Sequence, residues 1–132
     1  MVQNYRDLQV WQKAMQLTET VYHLTQHFPS QQQYIITSQI QRAALSVPAN
    51  IAEGRSRHSR QDFIYHLNIA RGSLAEVETF LMLAVRLGYV SESDINDAMD
   101  IANEITRMLH GLKTSLKITA KTETYNLKPE TL

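Results

Sequence analysis

The sequence predicts an all-α fold, an antiparallel up-down four-helix bundle. Four segments of roughly 20 to 30 residues repeat apolar side chains at spacings of three and four, the period of a helix with one buried face. Only four glycines and three prolines occur in 132 residues, too little turn material for an all-β chain. The connections between segments are short, which makes sequence neighbours antiparallel, and heptad-like rows imply shallow crossing angles.

In the first segment Val10, Ala14, Leu17, Val21, Leu24 and Phe28 recur at spacings of 4, 3, 4, 3 and 4. Trp11, Met15 and Tyr22 form a second apolar row about 100° away. So wide an apolar face suits either a deeply packed helix or a subunit contact through those three residues. Pro29 ends the segment.

The second segment is expected to start near Ser30, where Ser30 and Gln33 have capping-box spacing. Its stripe of Ile36, Ile40, Ala43 or Ala44, Val47 and Ile51 keeps phase on both sides of Pro48. That predicts one helix kinked at Pro48 rather than two, because proline removes a donor and crowds the Ala44 carbonyl. Gly54 is the expected terminator.

Ser59 and Asp62 predict the cap of the third segment, which carries Phe63, Leu67, Ala70, Leu74, Val77, Leu81 and Ala84 and stops at Gly88. Gly72 within it is expected to admit a neighbouring helix closely. Ser91 and Asp94 cap the fourth, whose core row is Ile95, Ala98, Ala102, Ile105, Leu109, Leu112 and Leu116. Early acids (Glu92, Asp94, Asp97) and late bases (Lys113, Lys117, Lys121) complement its dipole. The pattern fades after Lys121, so residues 1–121 are expected to form one bundle domain and 122–132 a flexible C-terminal tail.

Composition narrows the function. Hydrophobic residues make up 43% and charged residues 20%, a globular balance. The absence of cysteine removes thiolate metal sites, thiol nucleophiles and disulfides. No apolar run approaches the roughly 18 residues of a membrane span, and the start lacks signal-peptide character, so a cytoplasmic protein with no membrane partner is expected. Net charge is zero, but it is unevenly spread. From Arg42 to Arg71 five arginines face two acids; from Glu76 to Glu104 seven acids face one arginine.

The densest cluster of special residues is Ser46 to Phe63, S-V-P-A-N-I-A-E-G-R-S-R-H-S-R-Q-D-F. Arg42, Ser46, Asn50, Glu53 and Arg57 recur at spacings of 4, 4, 3 and 4 and share a helix face. This polar seam is either a contact surface for a partner or subunit, or a satisfied network in which Glu53 pairs with Arg57 and Asn50 ties down backbone freed by Pro48. Arg55, Arg57, His58 and Arg60 gather at the turn into the third segment, where planar guanidinium forks suit phosphate. A solvated basic turn is the plainer reading, and no aromatics interleave for base stacking.

His23 and His27 have the spacing of two metal ligands, but no third ligand lies nearby in sequence, and both suit a helix C-terminus. No metal site and no cofactor are expected. Glu76 and Glu78 cannot face each other on a helix; Arg71, Ser73 and Glu76 offer an interhelical or intersubunit polar contact instead. No phosphate loop, nucleophile elbow or H-E-x-x-H is present, and no enzymatic activity is expected.

Three blocks carry a family resemblance: D-L-Q-V-W-Q-K-A-M (7–15), T-S-Q-I-Q-R-A-A-L-S-V-P-A-N-I-A-E-G (37–54) and F-I-Y-H-L-N-I-A-R-G-S-L-A-E-V-E-T (63–79). With L-G-Y-V (87–90) and the fourth segment, the sequence from about residue 4 to 118 resembles the bacterial four helix bundle protein family. Its founding members are encoded in intervening sequences of 23S ribosomal RNA genes. The resemblance implies a bundle that assembles into a ring-shaped homopentamer. A branch similar in fold, the accessory variability determinant of diversity-generating retroelements, is basic and pentameric, partners a reverse transcriptase and binds nucleic acid. This chain departs from that branch in its zero net charge.

Two functions therefore stand. One is an oligomeric scaffold whose arginine-bearing rim contacts RNA, single-stranded nucleic acid or a nucleic-acid-handling protein such as a reverse transcriptase. The other is a protein–protein interaction module with no nucleic-acid role. The arginine cluster favours the first and the neutral total charge the second.

Overall fold

The structure, a computed structural model, describes residues 4–126, with side chains for all of these but Tyr34 and 120–126. Among the described residues there are four long helices and no strand: α1 (Gln9–Thr25), α2 (Ser38–Ser56), α3 (Arg60–Arg86) and α4 (Glu92–Asn126). Each helix packs on its two neighbours around the ring 1-2-3-4, and the α2–α3 contact is the most extensive. This is the four-helix bundle that the periodicity predicts. The heptad positions of every segment line one shared core, with Ala14, Leu17, Val21, Ile40, Val47, Ile51, Val77, Leu81 and Ile105 fully excluded from water.

Chain reversals follow from local chemistry. Ser59 is the N-cap of α3, its hydroxyl accepting from the Asp62 amide at 3.0 Å. At the other end of α3, Gly88 adopts φ +79°, its amide donates to Val85 O at 3.0 Å, and the Tyr89 amide donates to Ala84 O at 2.9 Å. Those two bonds make a Schellman motif, which only a residue tolerant of left-handed backbone closes without strain. Tyr89 then packs on Phe28 with ring centroids 5.7 Å apart, tying this turn to the end of α1. The cap of α4 is reciprocal: Ser91 Oγ accepts from the Asp94 amide (3.2 Å), and Asp94 Oδ2 accepts from the Ser91 amide (2.9 Å).

The structure differs from expectation at four places. Ser30 and Gln33 form no capping box; Ser30 lies inside a 3-10 turn, Ser30–Gln32, whose N-cap is Pro29, so its hydroxyl is one residue too late to cap. A π-helical turn, Gln33–Thr37, follows before α2 begins at Ser38. Gly54 does not end α2, which runs two residues further. It is buried where α2 meets α3, and a Cβ there would lie 2.8 Å from His66 Cβ. Gly72, by contrast, has nothing within 4 Å of a built Cβ, so the close approach expected there occurs at Gly54 instead. Finally, the helical backbone of α4 continues five residues beyond Lys121 to Asn126; residues 127–132 of the expected tail lie outside the described residues.

Pro48 sits within one uninterrupted α2. The Ala44 carbonyl that it deprives of a backbone donor accepts from Thr18 Oγ1 of α1 at 3.1 Å, while the same hydroxyl lies 2.9 Å from Ala14 O. The chain therefore repairs the proline defect from a neighbouring helix. Asn50 does not serve that carbonyl; its amide group has another role.

Candidate functional site

The polar seam of α2 faces α3 and recruits two residues from it. Asn50 Nδ2 donates to both the carbonyl and the hydroxyl of Ser46, each at 2.9 Å, and Ser73 Oγ donates to Ser46 Oγ at 2.8 Å. Those bonds fix the orientation of the Asn50 amide: its nitrogen faces the Ser46 acceptors, so its oxygen faces His66. The Asn50 Oδ1–His66 Nδ1 distance is 3.0 Å. An amide oxygen only accepts, so Nδ1 carries the proton, and in neutral His66 the Nε2 lone pair is left facing outward. Nε2 points toward Glu53 Oε1, 4.0 Å away.

Glu53 is held from its other side by Arg57, whose Nη2 donates to the same Oε1 at 2.7 Å. That hydrogen bond, with the nearby His66 ring second, holds the Glu53 carboxyl below its ordinary range. His66 is 9% exposed and Ser73 is also buried, so the seam runs from buried Ser73 and His66, through half-buried Ser46 and Asn50, to the exposed Glu53–Arg57 pair. Ser73 was legible as an interhelical contact residue; His66 was not, although the spacing 63, 66, 67, 70, 73 and 74 places it on the inner face of α3. Arg42 is exposed, one turn before Ser46.

Beyond Glu53 the chain turns, and an open hollow of about 410 Å³ forms there, lined by Asn4, Tyr5, Arg55, Ser56, Arg57 and His58. Arg60 starts α3 and is not among the lining residues. The aromatic ring comes from far in sequence. A 3-10 turn, Tyr5–Asp7, packs on α2, capped by the Asn4 side chain accepting from the Arg6 amide at 2.7 Å. The Arg6 guanidinium lies 4.9 Å over the Tyr5 ring, and Tyr5 meets Trp11 edge-on with centroids 5.4 Å apart.

The three residues of the expected subunit contact separate. Trp11 is half-buried behind Tyr5, whereas Met15 and Tyr22 are 40% and 38% exposed. With Leu45 (49% exposed) and Pro48 they border an apolar groove of about 340 Å³ between α1 and α2, rimmed by Thr18, Glu19 and His23. A second exposed apolar set, Met82, Leu83 and Leu87, lies at the C-terminal end of α3.

His23 and His27 are both exposed. Among the described residues no three His, Cys, Asp or Glu side chains are grouped to hold a metal. Nor is any described helix long and apolar enough to cross a membrane.

A four-helix bundle with a polar seam across one helix pair places the chain among the small all-helical bundle proteins. The profile of the 23S rRNA-intervening sequence proteins matches residues 6–111, and the chain belongs to that family. The crystal structure of a protein of unknown function from the S23 ribosomal protein family of Bacteroides thetaiotaomicron is similar. It is 28% identical, the match covers 79% of this chain and 97% of that one, and the TM-score is 0.71. No curated protein matches the sequence.

Proposed function

We propose that the protein is a non-enzymatic homo-oligomeric scaffold, cytoplasmic and assembled as a ring, that presents its arginine-bearing end to RNA or to a protein that handles RNA. The observation that carries the assembly is the α1–α2 groove: Met15, Tyr22 and Leu45 stand 38–49% exposed around it. Large apolar side chains grouped on a surface mark contact sites more often than scattered ones do. Met82, Leu83 and Leu87 supply a second, separate apolar set. A patch that meets a different patch on the next copy makes a heterologous contact, the kind that closes into rings, five copies in this proposal.

Pro48 lies at the groove, and a kink of α2 there, repaired by Thr18, would shape it. Light scattering at micromolar concentration is expected to give a mass five times that of the 15.2 kDa chain. Tyr22→Glu with Leu45→Glu is expected to give a folded monomer by circular dichroism and scattering together. A monomeric wild type would refute the assembly.

One observation favours a second reading, an interaction module with no nucleic-acid role. Glu53 neutralises Arg57 at the same rim, and the chain as a whole carries no net charge. A gel shift with RNA and with single-stranded DNA at two salt concentrations separates the two readings, because phosphate contacts weaken steeply as salt rises.

A further inference from the structure

We propose that the hollow bounded by Asn4, Tyr5, Arg55, Ser56, Arg57 and His58 binds a phosphate group of single-stranded RNA, and that protonation of His66 strengthens the binding by sharing the Glu53 carboxylate that otherwise neutralises Arg57 alone. The inference rests on the reading that the arginine-bearing end contacts RNA, and adds to it a specific site and its control.

The lining is suited to a nucleotide's phosphate. It holds two guanidinium groups, an imidazole, a hydroxyl and an amide side chain, and none of the lining residues is acidic. The volume of about 410 Å³ lies in the range of small-ligand sites. Tyr5 supplies the aromatic surface that the local sequence around the arginines lacks, and Arg6 over its ring adds another positive charge beside the opening.

The control follows from the hydrogen bonds. Because Asn50 Oδ1 takes the Nδ1 proton, neutral His66 turns a lone pair toward Glu53 Oε1, so two acceptors face each other at 4.0 Å with no proton between them. Protonation places a donor on Nε2. The contact becomes a charge-assisted hydrogen bond once the atoms close by about 1 Å, which the exposed Glu53 side chain can do by a small rotation. Among the described residues, Glu53 of α2 faces the ring and holds Arg57 of the same turn beside it, and the Tyr65 ring of α3 lies edge-on at 5.2 Å. Glu53 then accepts from both Arg57 and His66, since a carboxylate has acceptor sites for both, and its one negative charge is shared between two cations. Arg57, which already lines the hollow, is left less fully neutralised, and the local charge rises by one. His66 is thus a positioning residue, remote from the ligand and acting through Glu53.

Fluorescence anisotropy of a labelled single-stranded RNA at fixed ionic strength tests this at about pH 7.5 and about pH 5.5, either side of the ordinary imidazole range. Wild type is expected to bind about fivefold tighter at the lower pH, the upper end for one partly exposed charge pair. His66→Asn keeps a donor for Asn50 and is expected to lose that gain. Glu53→Gln, at an exposed position, is expected to bind tightly at both pH values. His58→Gln removes the second imidazole, which lines the hollow itself; the gain that remains in that variant belongs to His66. Inorganic phosphate is expected to displace the RNA, and Arg57→Gln to weaken it at both pH values. RNA binding whose pH gain survives in both His66→Asn and Glu53→Gln overturns the control while leaving the RNA contact standing. RNA binding insensitive to phosphate and to Arg57→Gln overturns the hollow as the site. No RNA binding at either pH overturns the proposal together with the reading it rests on.

Discussion

The Thr18 hydroxyl proton is shared between Ala14 O of its own helix, 2.9 Å away, and, across the α1–α2 interface, the Ala44 carbonyl at 3.1 Å, the group that Pro48 leaves without its usual backbone partner. Two residues 30 positions apart in sequence are therefore coupled through a third. Thr18→Val keeps the side-chain shape and is expected to lower stability by about 1–2 kcal/mol, the range for orphaning a buried acceptor. In a Pro48→Ala background, which restores the backbone donor, the same substitution is expected to lose most of its effect. Chemical denaturation of the four proteins of this double-mutant cycle measures the coupling, and additive effects would show that Thr18 does not serve the proline.

Two glycines in adjacent helices predict opposite outcomes for one substitution. Gly54→Ala places a methyl group 2.8 Å from His66 Cβ and 3.0 Å from Phe63 Cδ1, so α2 and α3 must separate. A loss of about 1–3 kcal/mol is expected. Gly72→Ala meets nothing within 4 Å, in the interior of an exposed helix face. There a gain of up to about 1 kcal/mol is expected from helix propensity. Melting temperatures that move in the same direction for both would contradict the packing described.

Asn50 joins Ser46 to His66, its Oδ1 accepting the hydrogen bond from Nδ1. Asn50→Ala is expected to cost about 1–2 kcal/mol by leaving the buried His66 Nδ1 and the half-buried Ser46 hydroxyl without this partner. Asn50→Asp keeps an acceptor facing His66 and is expected to recover part of that loss. An unchanged melting temperature in Asn50→Ala would sink the account of the seam as a connected network.

The α4 cap gives the fold an acid-sensitive contact. Hydrogen bonds from the Ser91 amide and hydroxyl, with a smaller contribution from His27, hold the Asp94 carboxyl below its ordinary range. A folded-state value below the unfolded one means that Asp94 stabilises the fold above its unfolded value, and that this contribution fades as pH falls through the folded value. Thermal melts from about pH 7 to about pH 3 are expected to show a shallower acid decline in Asp94→Asn than in wild type.

What the sequence made legible follows physical lines. Rows such as Phe63, Leu67, Ala70 and Leu74 carry a full helical period, and nothing in the bundle opposes it. Ser59–Asp62, Ser91–Asp94 and Gly88 are caps decided by neighbours within four residues, so they too read directly. Gly54 and Gly72 look alike in sequence because what separates them is the distance to another helix. Thr18 could not be tied to Pro48 for the same reason, since the pairing needs the α1–α2 register. His66 was hidden by company: Phe63, Ile69 and Ala70 are three of its four nearest helical neighbours, and Asn50 across the interface reveals its role. The π-helical turn Gln33–Thr37 has no signal in the sequence for which we have a physical account. At the candidate site, the basic residues of the turn were visible, but Tyr5 arrives from the far end of the chain and Glu53 proves to be shared between Arg57 and His66.

The three-residue connection 57–59 has a kinetic consequence. It joins the two helices that pack most extensively, so the largest interface in the bundle closes the shortest loop. Loop-closure entropy is then smallest where the gain on contact is greatest, which favours the α2–α3 hairpin as the first long-lived structure on the way to the fold. On this argument α1, which brings the Thr18 hydroxyl to the proline site, is expected to dock onto a hairpin already formed. Folding rates should accordingly fall with substitutions at Gly54 and Ile51, whereas Thr18→Val should act mainly on the rate of unfolding.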